Sequence, residues 1–218
     1  MDPAFQQTAE VLEGPAAEAQ LEALGLSLEI VVQTVLAAEM DGRLTSAYQP
    51  PTAPGFRRWA TACGQLAERL VPRGWERVLV KGLPRVVNHS NGTAVAVIGG
   101  DEGTGVRGAT PHSRTSRGPA STTLVSANQM SLEFVSPMPD EGDPLEDWER
   151  TWWLLIFSDG SSVRAELSLA VGLDEKKKLA AWKTRILIDL PQAGFPWEKE
   201  RRDDDDSDLE IDVNVVPR

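Results

Sequence analysis

Apolar residues recur every three or four positions in two stretches near the amino terminus, and this spacing predicts two amphipathic helices. The first covers residues 21–38 with an interruption at Gly25, and Ser27 is placed to cap the helix where it resumes. The second begins at Pro54, which suits a first helical turn, and ends before Pro72. Because the link between them is short, we expect an antiparallel helical hairpin that covers a sheet.

Apolar and β-branched runs after the second helix predict strands joined by tight turns. Asn91-Gly92 is the strongest hairpin signal in the chain, and it joins a run at 84–88 to the apolar run 93–98. A second hairpin is predicted from 151–157 through a Ser-Asp-Gly-Ser turn to 163–171. Apolar and polar residues alternate along the returning strand, so one of its faces is predicted to be buried.

The later segments give mixed patterns. Residues 122–135 are apolar but fit either a strand or a helix, whereas 173–182 is predicted to be a short helix that carries three lysines. Residues 185–190 are predicted to be a further strand. At the carboxyl end, Leu209–Val215 alternates strictly between apolar and polar residues after the acidic loop 203–208. This pattern predicts a last strand, either on the same sheet or donated to a neighbouring chain.

These elements predict an α+β fold in which the helical hairpin packs on a mainly antiparallel, twisted sheet. A chain of 218 residues suits one domain with a substantial core. We therefore predict a mobile segment at 1–17 and a single domain at 18–218, composed of the hairpin at 18–72 and the sheet region at 75–218.

Composition and charge narrow the class of protein. The formal net charge is -11, which disfavours nucleic-acid binding by the surface as a whole. More than half of this charge lies between Glu198 and Asp212. The single cysteine, Cys63, excludes an intrachain disulfide, and we interpret it as a core residue. The sequence has no signal-peptide pattern and no run of 18 apolar residues, so we predict a cytoplasmic location without membrane contact.

The glycine-rich loop 99–119 is the first candidate site, since it combines glycines with a local basic charge. Backbone amides of glycines after a buried strand can cradle an anion, and arginines suit phosphate. The loop matches neither the dinucleotide-binding fingerprint nor the P-loop pattern, and a solvated, disordered loop is the alternative. The candidate ligand-binding residues are Gly99, Gly100, Gly103, Thr104, Gly105, Arg107, His112, Arg114 and Arg117.

A weaker candidate is a metal site formed by Asp101 and Glu102 at one strand end and Glu166 on another strand. Carboxylates from two strands loosely resemble the magnesium site of a nuclease. The lysine that such a nuclease requires is missing, because Glu166 is followed by Leu167 and Ser168. No cofactor can be predicted from this pattern.

Tryptophans around the second hairpin are candidates for a protein interface. Period-two geometry places Trp152 and Trp153 on opposite faces of one strand, so one is predicted to be in the core while the other meets a helix, a partner or solvent. A sheet covered on both faces by its own elements is the alternative. Trp148 and Trp197 complete the set of interface candidates.

No pattern in the chain identifies a catalytic nucleophile or base. We therefore favour a non-enzymatic binding or accessory protein, acting as a subunit of a larger intracellular assembly through a protein partner or self-association. One alternative is an enzyme or sensor module that binds a phosphate-bearing ligand such as a nucleotide at loop 99–119. Another is a nucleic-acid-binding protein or metal-dependent nuclease that uses Asp101, Glu102 and Glu166.

Overall fold

The computed structural model describes residues 9–133 and 150–191. The elements form a mixed sheet with helices on both faces. In chain order they are β1 (Glu10–Leu12), α1 (Pro15–Ala23), α2 (Leu28–Arg43), α3 (Ala53–Leu70), β2 (Glu76–Val80), β3 (Leu83–Asn88), β4 (Thr93–Gly99), α4 (Pro119–Glu133), β5 (Arg150–Ser158), β6 (Val163–Leu173) and β7 (Leu179–Ile188).

The predicted helical hairpin is present as α2 and α3. The Ser27 hydroxyl accepts a hydrogen bond from the Ile30 amide at 3.3 Å, as expected of a helix cap. Across the pair, the Asp41 carboxylate accepts hydrogen bonds from Arg57 and from the Thr61 hydroxyl, so α2 is tied to α3 by charge as well as by apolar packing. The Arg57 contact, followed by that of Thr61, lowers the pKa of Asp41.

The seven strands are arranged in the order β1-β7-β6-β5-β4-β3-β2. Four neighbouring pairs are antiparallel, which confirms the mainly antiparallel sheet, while β1 with β7 and β4 with β5 are parallel. Both predicted hairpins are present, as β3–β4 and β5–β6. Parallel neighbours need a crossover, and α4 belongs to the one between β4 and β5.

Two apolar clusters cover the two faces of the sheet. On one face, Val95, Val97 and Leu154 pack under α1, α2 and α3. On the other face, Trp153 and Leu155 pack with apolar residues of α4. The sheet is therefore covered on both sides by elements of its own chain, and the ambiguous segment 122–135 supplies a helix rather than a strand.

One prediction about local structure is wrong. Residues 173–182 do not form a helix: the Asp174 carboxylate accepts the Lys178 amide at 2.8 Å and closes a turn, after which Leu179 begins β7. Pairing with β6 overrides the weak helical pattern there. Within the segment predicted to be mobile, Glu10–Leu12 pairs with β7 and α1 begins at Pro15. The predicted last strand Leu209–Val215 and the acidic loop 203–208 lie outside the described residues.

Candidate functional site

A cavity of about 470 Å³ opens at the carboxyl ends of β4 and β5. These strands are parallel neighbours, with Gly99 opposite Ile156, so the carboxyl ends of both strands lie at the same edge of the sheet. The first turn of α3 covers one side of the cavity and the loop after β4 covers the other. The carboxyl ends of parallel strands are a common place for ligands in mixed and parallel sheets.

The loop after β4 folds back on its own strand, and this return brings its basic residues to the cavity. Gly100 forms an isolated antiparallel bridge with Ser113, and the Arg114 amide donates to the Gly99 carbonyl at 2.8 Å. The Arg117 amide donates to the Lys177 carbonyl at 2.7 Å, which fastens the end of the loop to the β6–β7 turn. Arg114 and Arg117 consequently line the cavity beside the end of β4.

The charge of the lining is entirely positive. Arg58, Arg114 and Arg117 line the cavity, and no aspartate or glutamate is among its described lining residues. Arg58 has a carboxylate partner, since its Nε donates to Glu39 at 2.7 Å. For Arg114 and Arg117, residues 9–133 and 150–191 provide no ion pair. Residues 9–133 and 150–191 carry 18 arginines and lysines against 17 aspartates and glutamates, so the positive lining is a local excess of charge in a nearly neutral part of the chain.

Among the described residues, only neutral groups hold Arg117 in place. Its Nε donates to the Thr115 carbonyl at 3.0 Å, and a second guanidinium nitrogen donates to the Thr115 hydroxyl. Burial lowers the pKa of Arg117, because the charged form loses solvation without a carboxylate to replace it. The guanidinium still carries its charge at neutral pH. An anion in the cavity would compensate this half-buried charge.

Glu39 organises the base of the cavity from α2. It is fully buried, and its carboxylate accepts hydrogen bonds from Arg43 at 2.7 Å, from Arg58 at 2.7 Å and from the Ser158 hydroxyl at 3.1 Å. These contacts hold Arg58 and the end of β5 in fixed positions. Sequence analysis missed Glu39, although an acidic residue on the apolar stripe of a helix, four positions before Arg43, was a usable signal.

The other wall of the cavity is apolar and aromatic. Phe56 and Trp59, on α3, have ring centroids 5.8 Å apart at an interplanar angle of 45°. The Trp59 indole donates to the Val97 carbonyl at 3.2 Å, which fixes its ring against β4. Phe56 is 64% exposed, so much of its ring is open toward solvent and the cavity.

The glycine-rich half of the loop does not present free amides to a ligand. The amide of Gly100 donates to the Ile156 carbonyl at 2.9 Å, and that of Thr104 donates to the Asp101 carbonyl at 3.0 Å. The Gly103 amide donates to the Asp101 carboxylate at 3.1 Å, and the Gly105 amide donates to Glu166 at 2.8 Å. The loop cradles carboxylates of its own chain, so the predicted anion cradle is already filled.

Glu166 belongs to a buried ion pair rather than to a metal site. Arg185 binds it with two nitrogens, at 3.0 and 2.6 Å, and the Ser168 hydroxyl donates to it at 2.7 Å. Asp101 in turn contacts His112 at 3.2 Å. No three potential ligands among residues 9–133 and 150–191 come together around a metal position. The predicted use of Asp101, Glu102 and Glu166 as a metal site is therefore not supported by their geometry.

Of the nine residues predicted to bind an anion, the cavity brings together Gly99, Arg114 and Arg117. Arg107 points elsewhere and forms an exposed ion pair with Glu13 at 2.6 Å. The remaining five, which are part of the loop's internal packing or contact Asp101, are Gly100, Gly103, Thr104, Gly105 and His112.

Trp152 and Trp153, which were predicted as interface candidates, are both buried in the core. Trp152 is 5% exposed and packs in the cluster under α1, α2 and α3, whereas Trp153 is 0% exposed and packs in the cluster under α4. Their opposite orientation is as predicted, but neither reaches a surface, because the chain covers both faces of its sheet. Trp148 and Trp197 lie outside the described residues.

Comparison of the chain with protein-family models, with curated proteins and with solved structures gives no significant match. In the described part of the chain, no single helix has both the length and the apolar character of a membrane span. The pair α1 and α2 meets those two criteria only jointly, with a bend of 96° between the helices.

Proposed function

We propose that this protein is a non-enzymatic binding or sensor module that takes a phosphate-bearing small molecule into the cavity between α3, the ends of β4 and β5, and the basic loop. One observation carries the proposal: every charged residue of the lining is an arginine, and Arg114 and Arg117 lack carboxylate partners in the described residues. Guanidinium groups are the preferred partners of phosphate, because their planar donors match its oxygens in pairs.

The amino terminus of α3 supports the same ligand class. Thr52 and Gly55 line the cavity at the first turn of this 18-residue helix. The Thr52 side chain makes no capping hydrogen bond to the helix. The partial positive charge of a helix amino terminus favours an anion, and here it adds to two arginines rather than acting alone.

The lining residues favour binding over acid–base catalysis. They include no histidine, lysine, aspartate, glutamate or cysteine. The carboxylate that accepts the Ser158 hydroxyl, Glu39, lies behind the lining, where Arg43 and Arg58 also bind it. Cys63 lies on another part of α3, and burial raises the pKa of its thiol to about 12, which keeps it protonated at neutral pH.

The test is an NMR titration of the whole protein with ribose 5-phosphate, with ribose as the uncharged comparison. We expect ribose 5-phosphate to shift resonances of the cavity residues and ribose to shift none. Arg114→Gln and Arg117→Gln should each weaken binding roughly tenfold to a hundredfold, because a hydrogen bond to a charged group contributes about 1.5–3 kcal/mol. Binding should also weaken as salt is added.

Arg107→Gln is the matched control, since it removes the same charge from the same loop but from an exposed pair outside the cavity. It should leave the dissociation constant unchanged. Equal losses in all three variants would indicate a general electrostatic effect, and no binding of ribose 5-phosphate would overturn the proposal.

A second candidate function is that of an accessory subunit, and the edge of β2, which no other strand covers among the described residues, favours it. β2 is the last strand of the sheet, and its Leu79 is 66% exposed. Exposed strand edges pair readily with other chains. We propose self-association through this edge, in the cytoplasm. Sedimentation should then give a mass above 23.7 kDa that Leu79→Lys reduces to the monomer; a monomer at all concentrations would contradict it.

A further inference from the structure

The geometry points to a nucleotide as the ligand, with its base against Phe56 and Trp59 and its phosphate at Arg114 and Arg117. This inference rests on the proposed function and names the ligand class more narrowly. A nucleotide has a planar ring at one end and an anion at the other. The aromatic wall of the cavity suits the ring, and the arginines of the opposite wall suit the anion.

The aromatic wall is the first step of the argument. Phe56 occupies the first turn of α3 and is exposed by 64%, so it contributes less to the core than an apolar residue of its size can. Its ring meets that of Trp59 at 45°, and the Trp59 ring is fixed by its hydrogen bond to Val97. A planar group that enters the cavity would stack on the face of the Phe56 ring, and the edge of that group would contact Trp59.

The separation of the two walls is the second step. The aromatic rings come from α3, whereas Arg114 and Arg117 come from the loop after β4. A free phosphate ion would reach the arginines but leave the aromatic wall in water. A nucleoside monophosphate covers both walls, and about 470 Å³ is within the usual range of roughly 300–1,000 Å³ for small-molecule sites.

Charge on the rest of the molecule favours a free nucleotide over a nucleic acid. The chain as a whole has a net charge of -11, and this overall charge repels a polymer that carries many phosphates. One phosphate group at Arg114 and Arg117 avoids that repulsion. Binding of a single-stranded oligonucleotide is therefore treated as an opposing outcome of the test.

The experiment compares dissociation constants of the whole protein for the four ribonucleoside monophosphates, ribose 5-phosphate, adenosine and a single-stranded oligonucleotide. At least one nucleoside monophosphate should bind tenfold or more tightly than ribose 5-phosphate, because stacking of a base on an aromatic side chain has about that effect. Phe56→Ala should remove this difference, so that the nucleoside monophosphates bind this variant no more tightly than ribose 5-phosphate does, while Phe56→Trp should retain it.

Tyr48→Ala is the matched control, since Tyr48 is a fully exposed aromatic residue that does not line the cavity. It should change no dissociation constant. Phe56 is itself largely exposed, so Phe56→Ala should keep the melting temperature of the wild type, which shows that a loss of binding is local.

The outcomes separate the two levels of the proposal. Equal affinity for ribose 5-phosphate and the nucleotides overturns the nucleotide inference and leaves the proposed phosphate site intact. Binding of none of the phosphate compounds overturns both. If adenosine binds as tightly as its monophosphate, the arginines do not bind the phosphate. If an oligonucleotide binds more tightly than any monophosphate, the cavity is a nucleic-acid site instead.

Discussion

Glu166 and Arg185 form a bidentate ion pair that is buried between β6 and β7, with exposed fractions of 0% and 3% for the two side chains. The pair also anchors the loop after β4, because Arg185 donates to the carbonyls of Ala109 and Val106 at 2.5 and 3.2 Å. On the other side, Glu166 accepts the Gly105 amide. The two charges therefore fix loop residues that lie between β4 and the arginines of the cavity.

Replacing Glu166 tests this role at the scale of one residue. Glu166→Gln keeps the shape of the side chain but leaves the buried Arg185 charge without a carboxylate to balance it, which should lower the free energy of unfolding by about 3–5 kcal/mol. Urea denaturation followed by circular dichroism measures the change. If Glu166→Gln unfolds at the wild-type urea concentration, the pair is not what holds the loop.

Glu13→Gln is the control for that measurement. It removes a carboxylate from the ion pair with Arg107, in which the two side chains are 40% and 70% exposed. Exposed pairs contribute little, because solvent screens both charges. The denaturation midpoint of Glu13→Gln should therefore coincide with that of the wild type.

Single side chains also explain why the site was only partly predictable. The sequence identified Arg114 and Arg117, since a basic cluster in an acidic chain is visible without coordinates. It assigned the anion to the glycine amides, because local sequence does not reveal which acceptors reach them. The acceptor of the Gly105 amide, Glu166, is 61 positions away and could be recognised only from the fold.

At the scale of elements, those that follow from the local sequence pattern were predicted, whereas those that depend on pairing with a distant strand were not. The helices α2 and α3 follow from their apolar stripes, and the β5–β6 hairpin follows from alternation and a turn sequence. By contrast, β1 has three residues, too few for any periodicity, and it exists because β7 offers a parallel edge. Pairing with β6 likewise makes the start of β7 a strand, despite the lysine-rich turn before it.

The parallel pairing of β4 and β5 was the element-level feature with the greatest consequence for the site. Two hairpins in sequence suggest antiparallel neighbours throughout, but β4 and β5 belong to different hairpins and run in the same direction. Their carboxyl ends therefore meet at one edge, and the cavity lies there. Asn128 of α4 supports this arrangement, since its amide donates to the carbonyls of Thr151 and Ala170 at 2.9 Å each.

At the scale of the whole molecule, the cavity depends on segments that are distant in sequence. Its lining comes from residues 51–59, 97–99, 114–117 and 156–158, and these meet only in the folded chain. The unfolded chain lacks the site, so a ligand that binds there stabilises the folded state in proportion to its occupancy. Stability of the entire protein thus becomes a measure of binding.

A nucleoside monophosphate that fits the cavity should raise the melting temperature of the wild type. At a free concentration of about 100 times its dissociation constant, the stabilisation is about 2.7 kcal/mol. For a chain of this length that corresponds to a rise of roughly 5–10 °C. The double variant Arg114→Gln/Arg117→Gln should show almost no rise at the same concentration, whereas Arg107→Gln should show the full rise. Differential scanning calorimetry measures all three. A rise that persists in the double variant would place the ligand elsewhere on the molecule, since both loop arginines of the cavity are absent from that protein.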